Sequence, residues 1–159
     1  MIINKLDTQV TFTKAPLDKE LFQSIKNTMY NKPEGGLWSS TYTSNKPYFS
    51  EWQKFCIEDY ADGLNDHMTI FEIKDNTRIY QIDSYDDLKI LHDNYGEKAI
   101  AYITTFDFEK MANDYDIIHM TTKGQRETRL SLPLCLYGWD VECSLIMNFN
   151  CIKEFSIVK

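Results

Sequence analysis

The chain has 159 residues, 43% hydrophobic and 26% charged, a composition that suits one globular domain and excludes a disordered one. Its formal net charge of −7 and pI near 4.9 argue against general nucleic-acid binding, because phosphate neutralisation needs clustered Lys and Arg. No run approaches the roughly 18 apolar residues of a membrane helix, and Met1 to Leu6 holds no apolar signal segment, so one soluble cytoplasmic domain over residues 1–159 is expected.

In chain order, Gln9 to Thr13 alternates and predicts a first strand with Val10 and Phe12 on one face. Beyond Pro16, Asp18 is placed to cap a helix carrying Leu21, Phe22, Ile25 and Met29 at helical spacing. Asn31 to Ser40 holds a proline and two glycines and reads as a loop into Leu37 and Trp38. Ser50 and Gln53 form a capping box for a helix with Trp52, Phe55, Cys56, Tyr60 and Leu64 along one side, ending near Gly63. Met68 to Lys74 and Thr77 to Ile82 read as strands joined in a hairpin by Asp75 and Asn76. Ser84 with Asp87 caps a helix that buries Leu88, Leu91 and Tyr95 and stops at Gly96. A short strand from Ile100 to Thr104, a helix from Asp107 to Tyr115 and a strand from Ile117 to Met120 follow. Thr128 to Leu132, Glu142 to Phe149 and Ile152 to Val158 read as a strand-rich tail. Helices early and strands late define an α+β class, with a split mixed or antiparallel sheet and flanking helices.

Cys135, Cys143 and Cys151 recur at intervals of eight, and Cys56 stands apart. None forms a C-x-x-C pair, and His67, His92 and His119 lie at no ligand spacing beside them, so buried free thiols and no structural metal are expected.

Three local features stand out. Lys32-Pro33-Glu34-Gly35-Gly36-Leu37-Trp38-Ser39-Ser40-Thr41 joins two glycines, which let backbone approach a ligand closely, to three successive hydroxyls. A tight turn feeding a strand is its plainer reading. Tyr137-Gly138-Trp139-Asp140-Val141-Glu142 leads into the apolar Leu145-Ile146-Met147. Two carboxylates at i and i+2 on a strand share one side of the sheet, with Val141 turned to the core, and like charges so placed repel unless solvated or used. A solvated loop is the plainer reading there. Tyr115 to Ile118, followed by Gly124 to Arg126, reads only as a strand and a polar turn.

The first two features, in this order, resemble the ADP-ribosyltransferase fold. Ser39-Ser40-Thr41 is similar to its serine-rich strand, often Ser-Thr-Ser, and Asp140-Val141-Glu142 to its late acidic pair, Glu-x-Glu or Gln-x-Glu. The element order over residues 9–157 resembles the small single-domain members, including bacterial toxins and ADP-ribosylating anti-CRISPR proteins of phages. The family usually places an Arg or His on its first strand; Gln9 to Lys14 has neither, and Lys14 is its one cation.

The resemblance implies NAD in a cleft lined by residues 35–42 with Asp140 and Glu142, no metal, and a macromolecular acceptor such as a protein. It implies that Glu142 stabilises the positive charge that develops on the ribose as nicotinamide leaves, while Asp140 orients or deprotonates the incoming nucleophile. Ser39 would position Glu142 or the ribose, Gly35 and Gly36 would leave space, and Trp38 or Tyr42 would stack on the nicotinamide ring. Lys14, Ser40 and Thr41 complete the implied cofactor contacts. A non-catalytic reading stands beside it, in which the net charge of −7 serves an acidic inhibitor that masks the basic surface of a host or defence protein. A magnesium-dependent nuclease or phosphodiesterase fits less well, for want of a clear ligand set.

Overall fold

The protein, seen in a computed structural model, is described over residues 1–59, 64–100 and 103–158. Strands β1 (Ile2–Ile3) and β2 (Gln9–Thr13) open it, and β3 (Leu37–Thr41) follows a long irregular stretch. Helix α1 (Glu51–Glu58) starts where its capping signature predicts, with the Ser50 side chain accepting from the Gln53 N–H. Strands β4 (His67–Ile73) and β5 (Ile79–Ile82) lead to α2 (Tyr85–Tyr95), which Ser84 caps and Gly96 ends. Leu88, Leu91 and Tyr95 are the residues it buries, as its periodicity requires. An antiparallel pair, β6 (Gly96–Ile100) and β7 (Ile103–Phe106), forms a small sheet of its own. Helix α3 (Phe108–Asp114), β8 (Ile117–Met120), α4 (Thr122–Thr128), β9 (Cys143–Ile146) and β10 (Ile152–Val158) complete the order.

Eight strands form one curled mixed sheet in the order β1-β5-β8-β9-β3-β2-β4-β10. Strands β5 and β8 run parallel and are linked through α2, β6, β7 and α3, the long crossover that parallel neighbours need. The two halves of the sheet meet between β2 and β3, which pair at Gln9–Thr41 and Val10–Ser40. The predicted split is therefore a narrow seam in a continuous sheet.

Alternation along the strands sorts side chains onto two faces. Ile118, Met120, Cys143 and Leu145 pack with Leu88, Leu91 and Met111 in one core cluster, against which Trp38 also rests. Leu37, Phe71, Ile79, Ile117 and Ile146 form the core of the other face. Burial of each such side chain contributes about 1.5–3 kcal/mol. Further along that second face the apolar row gives way to a polar one. His119 pairs across with Ser144 and Ser144 with Ser39, while Thr11 pairs with Thr69, and all five are buried. Gln9, with no exposure at all, joins them. A polar patch of this kind inside a sheet needs internal partners, and it marks the site described below.

Five predicted elements differ. The strand expected from Ile100 to Thr104 is divided between the end of β6 and the start of β7, with residues 101–102 outside the described residues, and the polar turn expected at Gly124 to Arg126 is part of α4. The helix expected after Asp18 is only a 3-10 turn, Lys19–Leu21, although Asp18 does cap it by accepting from the Glu20 N–H. Its continuation is prevented because the backbone there pairs with a later segment: Lys26 bridges Glu34, and the Gly36 N–H donates to the Gln23 carbonyl at 2.8 Å. Leu21 and Met29 are accordingly exposed. The predicted hairpin of β4 and β5 does not form, because the edges of β4 are taken by β2 and β10 and those of β5 by β1 and β8. Thr128 to Leu132 is not a strand. It closes α4 and leaves Leu130 and Leu132 each 74% exposed, so their alternation faces water.

All four cysteines are free and buried, as the sequence predicts. Burial pushes the Cys151 thiol up to about 12, and the Cys143 thiol well above its ordinary value, so both remain protonated. No helix among the described residues is long and apolar enough to cross a membrane.

Candidate functional site

Where β3 and β9 separate, the Glu142 side chain fills the gap. Ser39 pairs with Ser144 in the ladder, and two residues on, the backbone partner of Thr41 is replaced by the Glu142 carboxylate. The Thr41 N–H donates to its oxygens at 3.2 and 3.1 Å, the Thr41 hydroxyl donates at 2.9 Å, and the Ser40 hydroxyl donates at 2.6 Å. Glu142 is 7% exposed, so these donors replace nearly all of its water. The Ser39 hydroxyl, expected to position Glu142 or the ribose, does not reach Glu142 and donates to Gln9 Oε1 at 2.9 Å, and the Gln9 amide reaches the Thr41 hydroxyl at 3.4 Å. The serine-rich strand and the acidic segment are thus in direct contact, through Ser40 and Thr41.

His119 stands beside this carboxylate, its Nδ1 at 3.7 Å from Glu142 Oε1 and 2.9 Å from the Ser144 hydroxyl. Burial lowers its pKa, with the Glu142 charge opposing, so the ring is neutral at neutral pH. Serine, histidine and glutamate together invite comparison with a nucleophilic triad, but the geometry is wrong for one. Both partners approach the same ring nitrogen, and Ser144 has no exposed surface on which to meet a substrate. Thr41, His119 and Glu142 line a cavity of about 670 Å³, together with Lys54, Lys123 and Asp83. Lys123 pairs with Asp83 at 3.0 Å.

Of the remaining predicted site residues, five line another cavity, and Gly35, Ser40 and Tyr42 line neither. Lys14, Gly36, Trp38, Ser39 and Asp140 line a second cavity, of about 450 Å³. Asp140 and Glu142 do not share a surface: the chain bends through residues 141–142 before β9 begins, and the alternation of a regular strand does not apply there. Asp140 Oδ1 accepts from Arg129 Nη2 at 2.7 Å, and Val141 lines the second cavity rather than the core. Gly35, at φ +75°, serves the chain and not a ligand, since a Cβ there would collide with the Ser24 carbonyl. Gly36, at φ +67°, would bring a Cβ within 2.8 Å of the Ile146 carbonyl, so the pair of glycines fits β3 against its neighbours. Tyr42 stacks on Phe49 with ring centroids 6.1 Å apart and lines neither cavity.

Sequence reasoning missed Gln9, His119, Lys54 and Lys123. A signal existed for His119, a lone polar ring in the apolar strand Ile117–Met120; the lysines are set by long-range folding alone. Among the described residues no group of three or more His, Cys, Asp or Glu could hold a metal ion. Fold and site together define an α+β domain with a curled mixed sheet and a buried, hydroxyl-held carboxylate at its seam. No protein family, curated protein or solved structure matches this chain.

Proposed function

We propose that the protein is an NAD-dependent ADP-ribosyltransferase acting on a protein acceptor, with Glu142 as its catalytic carboxylate. One observation carries this reading: the Glu142 carboxylate is fixed by Ser40 and Thr41 and opens on a cavity of about 670 Å³. When bound, NAD supplies a ribose whose bond to nicotinamide breaks with development of positive charge. A fixed negative charge beside that ribose favours the transition state more than the ground state. Ser40 and Thr41 hold one rotamer of Glu142, and the neutral His119 leaves its charge uncancelled. Lys54 offers a cation to the diphosphate in the same cavity, whereas Lys123 is held by Asp83. Trp38 and Lys14 line the other cavity and are left out of this reading, as is Asp140, which is occupied by Arg129. The sequence resemblance extends the proposal to a toxin or phage counter-defence role.

Intact-mass measurement of candidate acceptor proteins, incubated with this protein and NAD, tests the reading. The expected result is a gain of one ADP-ribose on a single protein. Thermal melts with NAD supply the binding side: a bound dinucleotide raises the midpoint by mass action. No shift at millimolar NAD together with no mass gain would favour the acidic masking protein instead.

A further inference from the structure

All three tryptophans of the chain, Trp38, Trp52 and Trp139, line the second cavity of about 450 Å³. That volume lies within the roughly 300–1,000 Å³ of small-molecule sites. Its walls are already fixed. Trp139 is 1% exposed and its indole N–H donates to the Asn31 carbonyl at 2.6 Å. Trp38 packs edge-on against it, with centroids 4.8 Å apart and planes at 82°. Rigid aromatic walls favour a flat ring, since little ordering remains when it binds.

Charge selects among flat ligands. The charged side chains at this cavity are Lys14, Lys32 and Asp140, the Cys143 thiol beside them being held neutral by burial. Asp140 is answered by Arg129 at 2.7 Å, which leaves the two lysines as the local surplus on a chain of net charge −7. Aromatic cages commonly hold cations, but here Lys32 Nζ already lies 5.3 Å from the Trp38 ring centroid, and Asp140 is not free to attract another. We propose that this cavity binds a planar heteroaromatic anion of mononucleotide size, its ring against the half-buried Trp38 and Trp52 and its anionic group on Lys14 and Lys32. The site is separate from the Glu142 cavity and does not depend on the NAD reading.

Titration of the full chain with AMP, followed by intrinsic tryptophan fluorescence, tests the proposal, because every tryptophan reports on the site. Saturable quenching is expected, about tenfold weaker with adenosine, which keeps the ring and loses the charge. The double variant Lys14→Ala, Lys32→Ala changes two exposed side chains and should weaken AMP by a similar factor, about tenfold. Glu142→Gln should leave AMP quenching intact, so failure here and failure of the NAD reading are distinguishable. The proposal is overturned by an absence of saturable quenching, by equal affinity for adenosine and AMP, or by indifference to the lysine substitutions.

Discussion

Removing a carboxylate from water is costly unless other donors take water's place, and at Glu142 two neighbouring residues supply them. His119 senses the same charge. Burial lowers its pKa and Glu142 works against that, so Glu142→Gln should lower it further. An NMR titration of the His119 ring in both proteins checks the sign; an unchanged or raised value contradicts the assigned coupling. Because the folded-state value lies below the unfolded one of about 6.5, this ring costs stability as the pH falls below that point. Asp116 loses stability in the same direction, at lower pH, because its folded-state value is also depressed. Burial alone would raise its pKa, yet hydrogen bonds from Arg78 and Asn148 outweigh that and hold it at about 2, below the ordinary 3.8. Its contribution, about 2 kcal/mol, is present above the unfolded value and lost as the pH falls through the folded one. Urea melts should therefore show Asp116→Asn about 2 kcal/mol less stable at neutral pH, with the difference nearly gone near pH ~2. A difference that persists in acid would assign the loss to packing instead.

At the scale of elements, what could be read from the sequence was what neighbours in the chain decide. Ser50 with Gln53 and Ser84 with Asp87 cap the helices they precede, because a cap is satisfied within three residues of itself. Pairing partners were not legible. Asp75 and Asn76 do turn the chain, with Asn76 at φ 64°, but which edges β4 and β5 find is settled by strands far away in sequence. For the site, Ser40, Thr41 and Glu142 could be named from their residue types, whereas the bend before β9 that parts Asp140 from Glu142 carried no local signal. Helix α4 is the clearest miss. Its Gly124 lies where a Cβ would strike the Ile82 carbonyl at the end of β5, a contact made only in the folded chain. Gly124→Ala should thus cost about 1–3 kcal/mol despite alanine's better helix propensity, as measured by chemical denaturation. Leu132→Ser, at a position whose alternation predicts a strand but which is 74% exposed, should change stability by less than about 0.5 kcal/mol. A large loss there would mean that Leu132 has a buried partner.

For the whole molecule, the sheet places chemistry where its two halves join. Strand β3 pairs along its first residues with β9 and at its end with β2, so the hydroxyls of Ser40 and Thr41 sit where the ladder opens and a side chain can replace a backbone partner. The apolar rows on both faces hold that opening in shape, and the polar row from His119 to Thr69 supplies its floor. Catalysis by Glu142 is the central claim, and nicotinamide release from NAD measures it without knowledge of the acceptor. Glu142→Gln keeps the shape of the side chain and removes its charge, so release should fall about 10²-fold or more, near 3 kcal/mol of transition-state stabilisation, while the melting midpoint stays close to that of the parent. Release at the parent's rate by a folded Glu142→Gln protein would contradict the account.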